Sequence, residues 1–101
     1  MEKSKRPSFY KNTSENVLKI FDVLKKARDE DGSYLTVSEI SRRSGLHRWT
    51  VSRTIDMYMS QFLDVVMPEE LEHVGVKIKL VRLSDPGIKK DAVLRSIRIK
   101  I

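Results

Sequence analysis

The chain has 101 residues, 40% of them hydrophobic and 34% charged, with 20 basic against 14 acidic side chains and a net charge of +6. That is enough for one domain with a modest core. The absence of cysteine excludes a disulfide framework and a thiolate metal site. No run approaches the roughly 20 apolar residues of a membrane span.

The opening MEKSKRPSFYKN lacks the apolar core of a secretory signal, so the expected location is the cytoplasm. The positive charge is uneven: +3 over residues 1–13, +2 over 36–56 and +6 over 76–101, against −3 over 67–75. Such a surplus either keeps a surface soluble or favours a polyanionic partner.

Residues 1–11 have no hydrophobic period and contain Pro7, which predicts a flexible basic arm with Phe9 and Tyr10 at its base. A first helix is expected from Asn12 or Thr13, with Glu15 near its positive end. Val17, Ile20, Phe21, Leu24 and Ala27 form its buried stripe, widened by Leu18 and Val23, and Gly32 closes it. Tyr34 and Leu35 fit a very short strand.

Thr36 with Glu39 three residues later has the form of a capping box at the start of a second helix, about 37–44. Val37 and Ile40 give that helix its apolar stripe, while Arg42 and Arg43 face outward. Gly45 stands where it must stop and the chain reverse, a place for the left-handed conformation. Leu46 follows in the turn. Val51, Ile55, Tyr58 or Met59, and Phe62 then recur at intervals of three and four as the inward face of a third helix, about 48–62. Its other face carries Arg48, Trp49, Ser52, Arg53 and Asp56. Asp56, three residues beyond Arg53, is placed for an intrahelical ion pair. His47 stands at the turn position, where it caps the helix or meets a phosphate.

Leu63, Val65 and Val66 read as a short strand. Val76, Ile78, Leu80 and Leu83 alternate with Lys77, Lys79 and Arg82 as a half-buried strand. The loop MPEELEHVG between them makes a β-hairpin with a long acidic tip. Glu69 and His73 at i, i+4 have no further ligand, so no metal is expected. Asp85-Pro86 starts a short helix carrying Ile88, Ala92, Val93 and Ile97, and the alternating end IRIKI reads as a strand.

From Leu35 to Asp56, and in the order of elements around it, the chain resembles the winged helix-turn-helix superfamily, particularly small MarR-like regulators of bacterial and archaeal type. The run Thr50-Val51-Ser52-Arg53 after Gly45-Leu46 carries the resemblance, which extends over roughly residues 14–84. It implies an α+β fold: a three-helix core, a β-hairpin wing paired with the short strand before the second helix, and a short C-terminal helix or extended tail. The corresponding division is an arm over 1–11, the winged domain over 12–84, and a tail over 85–101 available for dimerisation.

The implied function is a sequence-specific regulator of transcription that binds double-stranded DNA as a homodimer, with the third helix in the major groove. Arg48, Trp49, Ser52 and Arg53 are then the base-reading set, and Asp56 either pairs with Arg53 or accepts from cytosine. Arg42, Arg43, His47, Thr50, Lys77 and Lys79 meet the DNA backbone. The acidic tip departs from the superfamily pattern, in which basic residues enter the minor groove. Two alternatives stay open: a winged-helix module for protein–protein interaction, which the acidic tip and aliphatic C-terminus suit, and a sequence-neutral, chromatin-like binder held mainly by phosphate contacts. Two isolated histidines and no glycine-rich loop give no acid–base, nucleophilic or cofactor constellation, so no enzyme and no cofactor are expected.

Overall fold

The computed structural model describes residues 5–69, 74–75 and 78–100, with side chains between Asn12 and Ile97 within those stretches. The architecture is α+β. Helix α1 (Lys5–Glu30) is followed by strand β1 (Leu35–Thr36), helix α2 (Val37–Ser44) and helix α3 (Arg48–Thr54). The chain continues from α3 without a break through a π-helical turn (Ile55–Met59) and a 3-10 turn (Ser60–Phe62). Strands β2 (Leu63–Val66) and β3 (Leu80–Leu83) and helix α4 (Lys90–Lys100) complete it.

Helix α1 starts earlier than the sequence predicts. Its backbone is helical from Lys5, so residues 5–11 of the expected basic arm belong to the helix. Pro7 does not prevent this, because it falls in the first turn, where backbone N–H groups have no intrahelical acceptor to lose. The predicted stripe is buried as expected: Val17, Ile20, Phe21, Leu24 and Ala27 are nearly or fully inaccessible. Gly32, at φ 72°, ends the helix, its N–H donating to the Ala27 carbonyl at 3.1 Å.

Helix α2 is seated by one residue, Ile40, which is fully buried. Its start is capped by half of the expected box: the Thr36 hydroxyl accepts from the Glu39 N–H at 3.0 Å, while the Glu39 carboxylate turns to Arg42 and Arg43 and not back to the Thr36 N–H. Gly45 follows with φ 79°, its N–H donating to the Ser41 carbonyl at 2.9 Å. The segment after the turn is not one uniform α-helix. Val51, Ile55 and Met59 are all fully buried and four residues apart. In an α-helix such steps drift by about 40° each, and the wider π turn at Ile55–Met59 takes that drift back. Met59 rather than Tyr58 therefore fills the core, and Tyr58 is half-buried.

The strands form one antiparallel sheet in the order β1-β3-β2, with Leu35 opposite Val81 and Leu63 opposite Leu83. Strand β3 begins only at Leu80: Ile78 and Lys79 are in no strand, and Val76 and Lys77 of the expected strand lie outside the described residues. Val66 pairs with Leu80, and Pro68, which has no N–H to donate, follows on the partner side. Its buried face is Val81 and Leu83, while Leu80 and Arg82 face the other way, half-buried. That frame puts two aliphatic side chains in the core and leaves Arg82 on the opposite face, half-buried. Arg82 lies over the Tyr34 ring at 4.4 Å, donates to the Gly32 carbonyl at 3.2 Å and pairs with Asp64 at 3.4 Å.

The C-terminal segment departs from expectation in two ways. Pro86 is part of a turn and not of the helix: the Asp85 carboxylate accepts from Gly87 N–H at 2.8 Å, and α4 begins at Lys90. The stretch that alternates like a strand is helical as far as Lys100. Val93 and Ile97, four residues apart, are fully buried, and Ala92 is exposed. Burying both aliphatic side chains in the core, at about 1.5–3 kcal/mol each, outweighs the weak preference of an alternating run. Arg28 and Lys25 fasten α1 to the same region by donating to the Leu83 and Pro86 carbonyls at 3.0 and 2.7 Å. No helix among the described residues is long and apolar enough to cross a membrane.

Candidate nucleic-acid interface

The outward side of α3 is built by the same turn that seats its inward side. With Val51 and Thr54 buried, Arg48, Trp49 and Arg53 are left exposed and Ser52 half-exposed. The helix start is fixed by His47, whose Nδ1 accepts from the Trp49 N–H at 3.0 Å. Of its two expected roles, His47 performs the capping one, and the bond requires its proton on Nε2.

Trp49 is 63% exposed, which is unusual for so large an apolar ring. The Arg53 guanidinium stands over it, 5.3 Å from the ring centre, and Arg53 Nε points to the Met57 sulfur at 3.4 Å. Asp56 is thereby left out of the pair the sequence suggests. It instead joins Lys79, 23 residues away, at 2.8 Å.

A broad open groove runs beside this face. Arg48, Trp49 and Ser52 form one wall, Thr36, Val37 and Ser38 at the head of α2 another, and Ile78 and Lys79 the third. None of these side chains is a carboxylate. A flat ring, two guanidinium groups and a hydroxyl on the outward side of α3 can offer paired donors to guanine O6 and N7 and apolar contact to a thymine methyl. Thr50 turns from the groove into a small recess beside Thr13 and Asn16 of α1, which Trp49 and Arg53 also line; Arg53 does not line the groove itself.

The arginines of α2 are exposed, but they are not free. Glu39 Oε2 accepts from Arg42 Nη2 and, at 2.7 Å, from Arg43 Nε. These bonds, that of Arg42 foremost, hold the Glu39 carboxyl down to about 2. The sequence carries this signal in the i+3 and i+4 spacing of the arginines from Glu39, although that spacing competes with the capping-box pattern. The Asp56–Lys79 pair has no such local signal, since it joins two distant elements. Lys77, Glu70, Glu72 and His73 lie outside the described residues. Glu69 is exposed. Arg48 makes no ion pair among the described residues.

No known protein family, curated protein or solved structure compared with this chain matches it.

Proposed function

We propose that this chain is a small winged helix-turn-helix regulator of transcription that binds double-stranded DNA in a sequence-specific manner, with α3 in the major groove. The observation that carries this reading is the exposed Trp49 ring with Arg53 stacked on it, beside Arg48 and Ser52. A solvent-exposed tryptophan flanked by two arginines serves no core and suits a partner with stacked rings and anionic edges. The helix–turn–helix unit and the order β1-β3-β2 are compatible with the winged arrangement, β2 and β3 forming its stem. In this reading Arg48, Trp49, Ser52 and Arg53 contact bases. Arg42, Arg43, Lys79, Lys77, His47 and Thr50 lie toward the backbone, and a homodimer presents two such helices to a palindromic site.

A second reading, a module that docks on another protein, is favoured by Val65, Val66 and Met67, exposed apolar residues on and just beyond the outer strand β2. One titration separates the two. Duplex DNA added to the protein at low and moderate salt should quench or shift the single tryptophan, saturably and more weakly as salt rises. Unchanged Trp49 fluorescence, with no retarded band in a mobility assay, rejects DNA and leaves the protein-docking reading.

A further inference from the structure

Of the five basic side chains Arg42, Arg43, Arg48, Arg53 and Lys79, described on α2, on α3 and just before β3, three are already neutralised from within. Arg42 and Arg43 share the Glu39 carboxylate, and Lys79 holds Asp56. The two without a carboxylate, Arg48 and Arg53, stand on the outward side of α3. The division is spatial as well as electrostatic. The paired cations lie off α3, at the end of α2, where Arg43 borders Asp22 and Glu30 of α1, and at the approach to β3. On the DNA reading the unpaired ones on α3 meet base edges and the paired ones lie nearer the phosphates.

Resting on the DNA reading above, we propose that Glu39 and Asp56 are specificity determinants: internal counter-ions that stand where phosphates would and suppress binding to any duplex irrespective of sequence. Helix stability does not account for both. Exposed pairs of this kind contribute little to folding, and Asp56 pairs across the fold, not along its own helix. Toward a polyanion the same carboxylates matter more. Each removes a cation from the set that can displace counterions from DNA, and counterion release is the sequence-independent part of affinity. With those cations muted, the α3 face decides which duplex is held.

The test compares wild type with Glu39→Gln, Asp56→Asn and, as a control, Asp91→Asn. The control makes the same change in net charge in the exposed first turn of α4. Each protein is titrated with random-sequence duplex and with a duplex enriched by selection on the wild type, over a range of salt. Glu39→Gln and Asp56→Asn should each tighten random-duplex binding by roughly threefold to tenfold and steepen the salt dependence by about one ion. The selected duplex should gain less, so that discrimination falls. Asp91→Asn should stay within about twofold of wild type.

Equal changes in all three variants, or none in the first two, overturn the proposal while leaving DNA binding intact. A wild type that binds neither duplex refutes the underlying DNA reading instead. Gln at position 39 keeps the backbone N–H that Thr36 caps, and Asp56→Asn perturbs a different element, so misfolding of one variant leaves the other decisive.

Discussion

The guanidinium of Arg53 stands 5.3 Å from the centre of the Trp49 ring, four residues earlier on α3. A free arginine loses rotamer freedom when it docks, whereas one resting on a ring is partly ordered beforehand. Cation–π contacts at exposed sites contribute about 0.5–1 kcal/mol. Arg53→Ala should therefore weaken binding to a selected duplex more than to a random one. Trp49→Phe, which keeps a ring, should lose less than Trp49→Ala. Because Trp49 is 63% exposed, thermal stability should stay within about 0.5 kcal/mol of wild type in all three. Equal losses on both duplexes would reduce Arg53 to a phosphate contact.

Gly45 sets the angle at which α3 leaves α2. Its φ of 79° lies in the left-handed region, and a β-carbon there would meet nothing within 4 Å. The cost of Gly45→Ala is thus conformational and not steric, about 1–2 kcal/mol. Gly45→Asn should cost less, since Asn tolerates this region better. Denaturant midpoints measure both, and Ala and Asn costing the same would mean the turn can change shape.

Helix α2 depends on a single buried side chain. Eight residues are too few to hold a helix in water, so Ile40 in the core, with half-buried Val37 packed beside it, keeps α2, and with it Arg42 and Arg43, in place. Ile40→Ala should destabilise by about 2–5 kcal/mol, and Ile40→Val by about 0.5–1.5 kcal/mol. A loss below 1 kcal/mol for the alanine variant would show that the site closes around the void.

The turn unit was legible because each of its signals is local. Thr36 caps Glu39, Gly45 takes a left-handed φ, and Val51 and Ile55 repeat at helical spacing. What the sequence misread depends on context. Pro7 breaks a helix in its middle but not in its first turn. Val81 cannot be assigned to the inner face of β3 until Leu35 is opposite it. The run after Ser96 alternates like a strand, yet burial of Val93 and Ile97 makes it helical. Within the candidate site, the exposure of Trp49 followed from periodicity. The partners of Arg42, Arg43 and Lys79 did not, because Glu39 had two uses in the sequence and Asp56 finds its cation on another element.

The carboxyl of Glu39 also makes a prediction about acid. Its hydrogen bonds from Arg42 and then Arg43 lower it from an ordinary 4.5 to about 2. A carboxyl that is more acidic in the folded chain stabilises the fold fully only above its unfolded value, and that contribution disappears as pH falls through the folded one. The difference in melting temperature between wild type and Glu39→Gln, small because the pair is exposed, should hence be constant above roughly pH 5. It should shrink as pH falls from 4.5 toward 2, the interval set by the two values. Every other acidic group is common to both proteins and drops out of the difference. The window bears on binding as well: between roughly pH 5 and pH 8 Glu39 stays ionised, so proton uptake by Glu39 does not release Arg42 and Arg43 there. A stability gap that varies above pH 5 would place the charge interaction on some group other than Glu39.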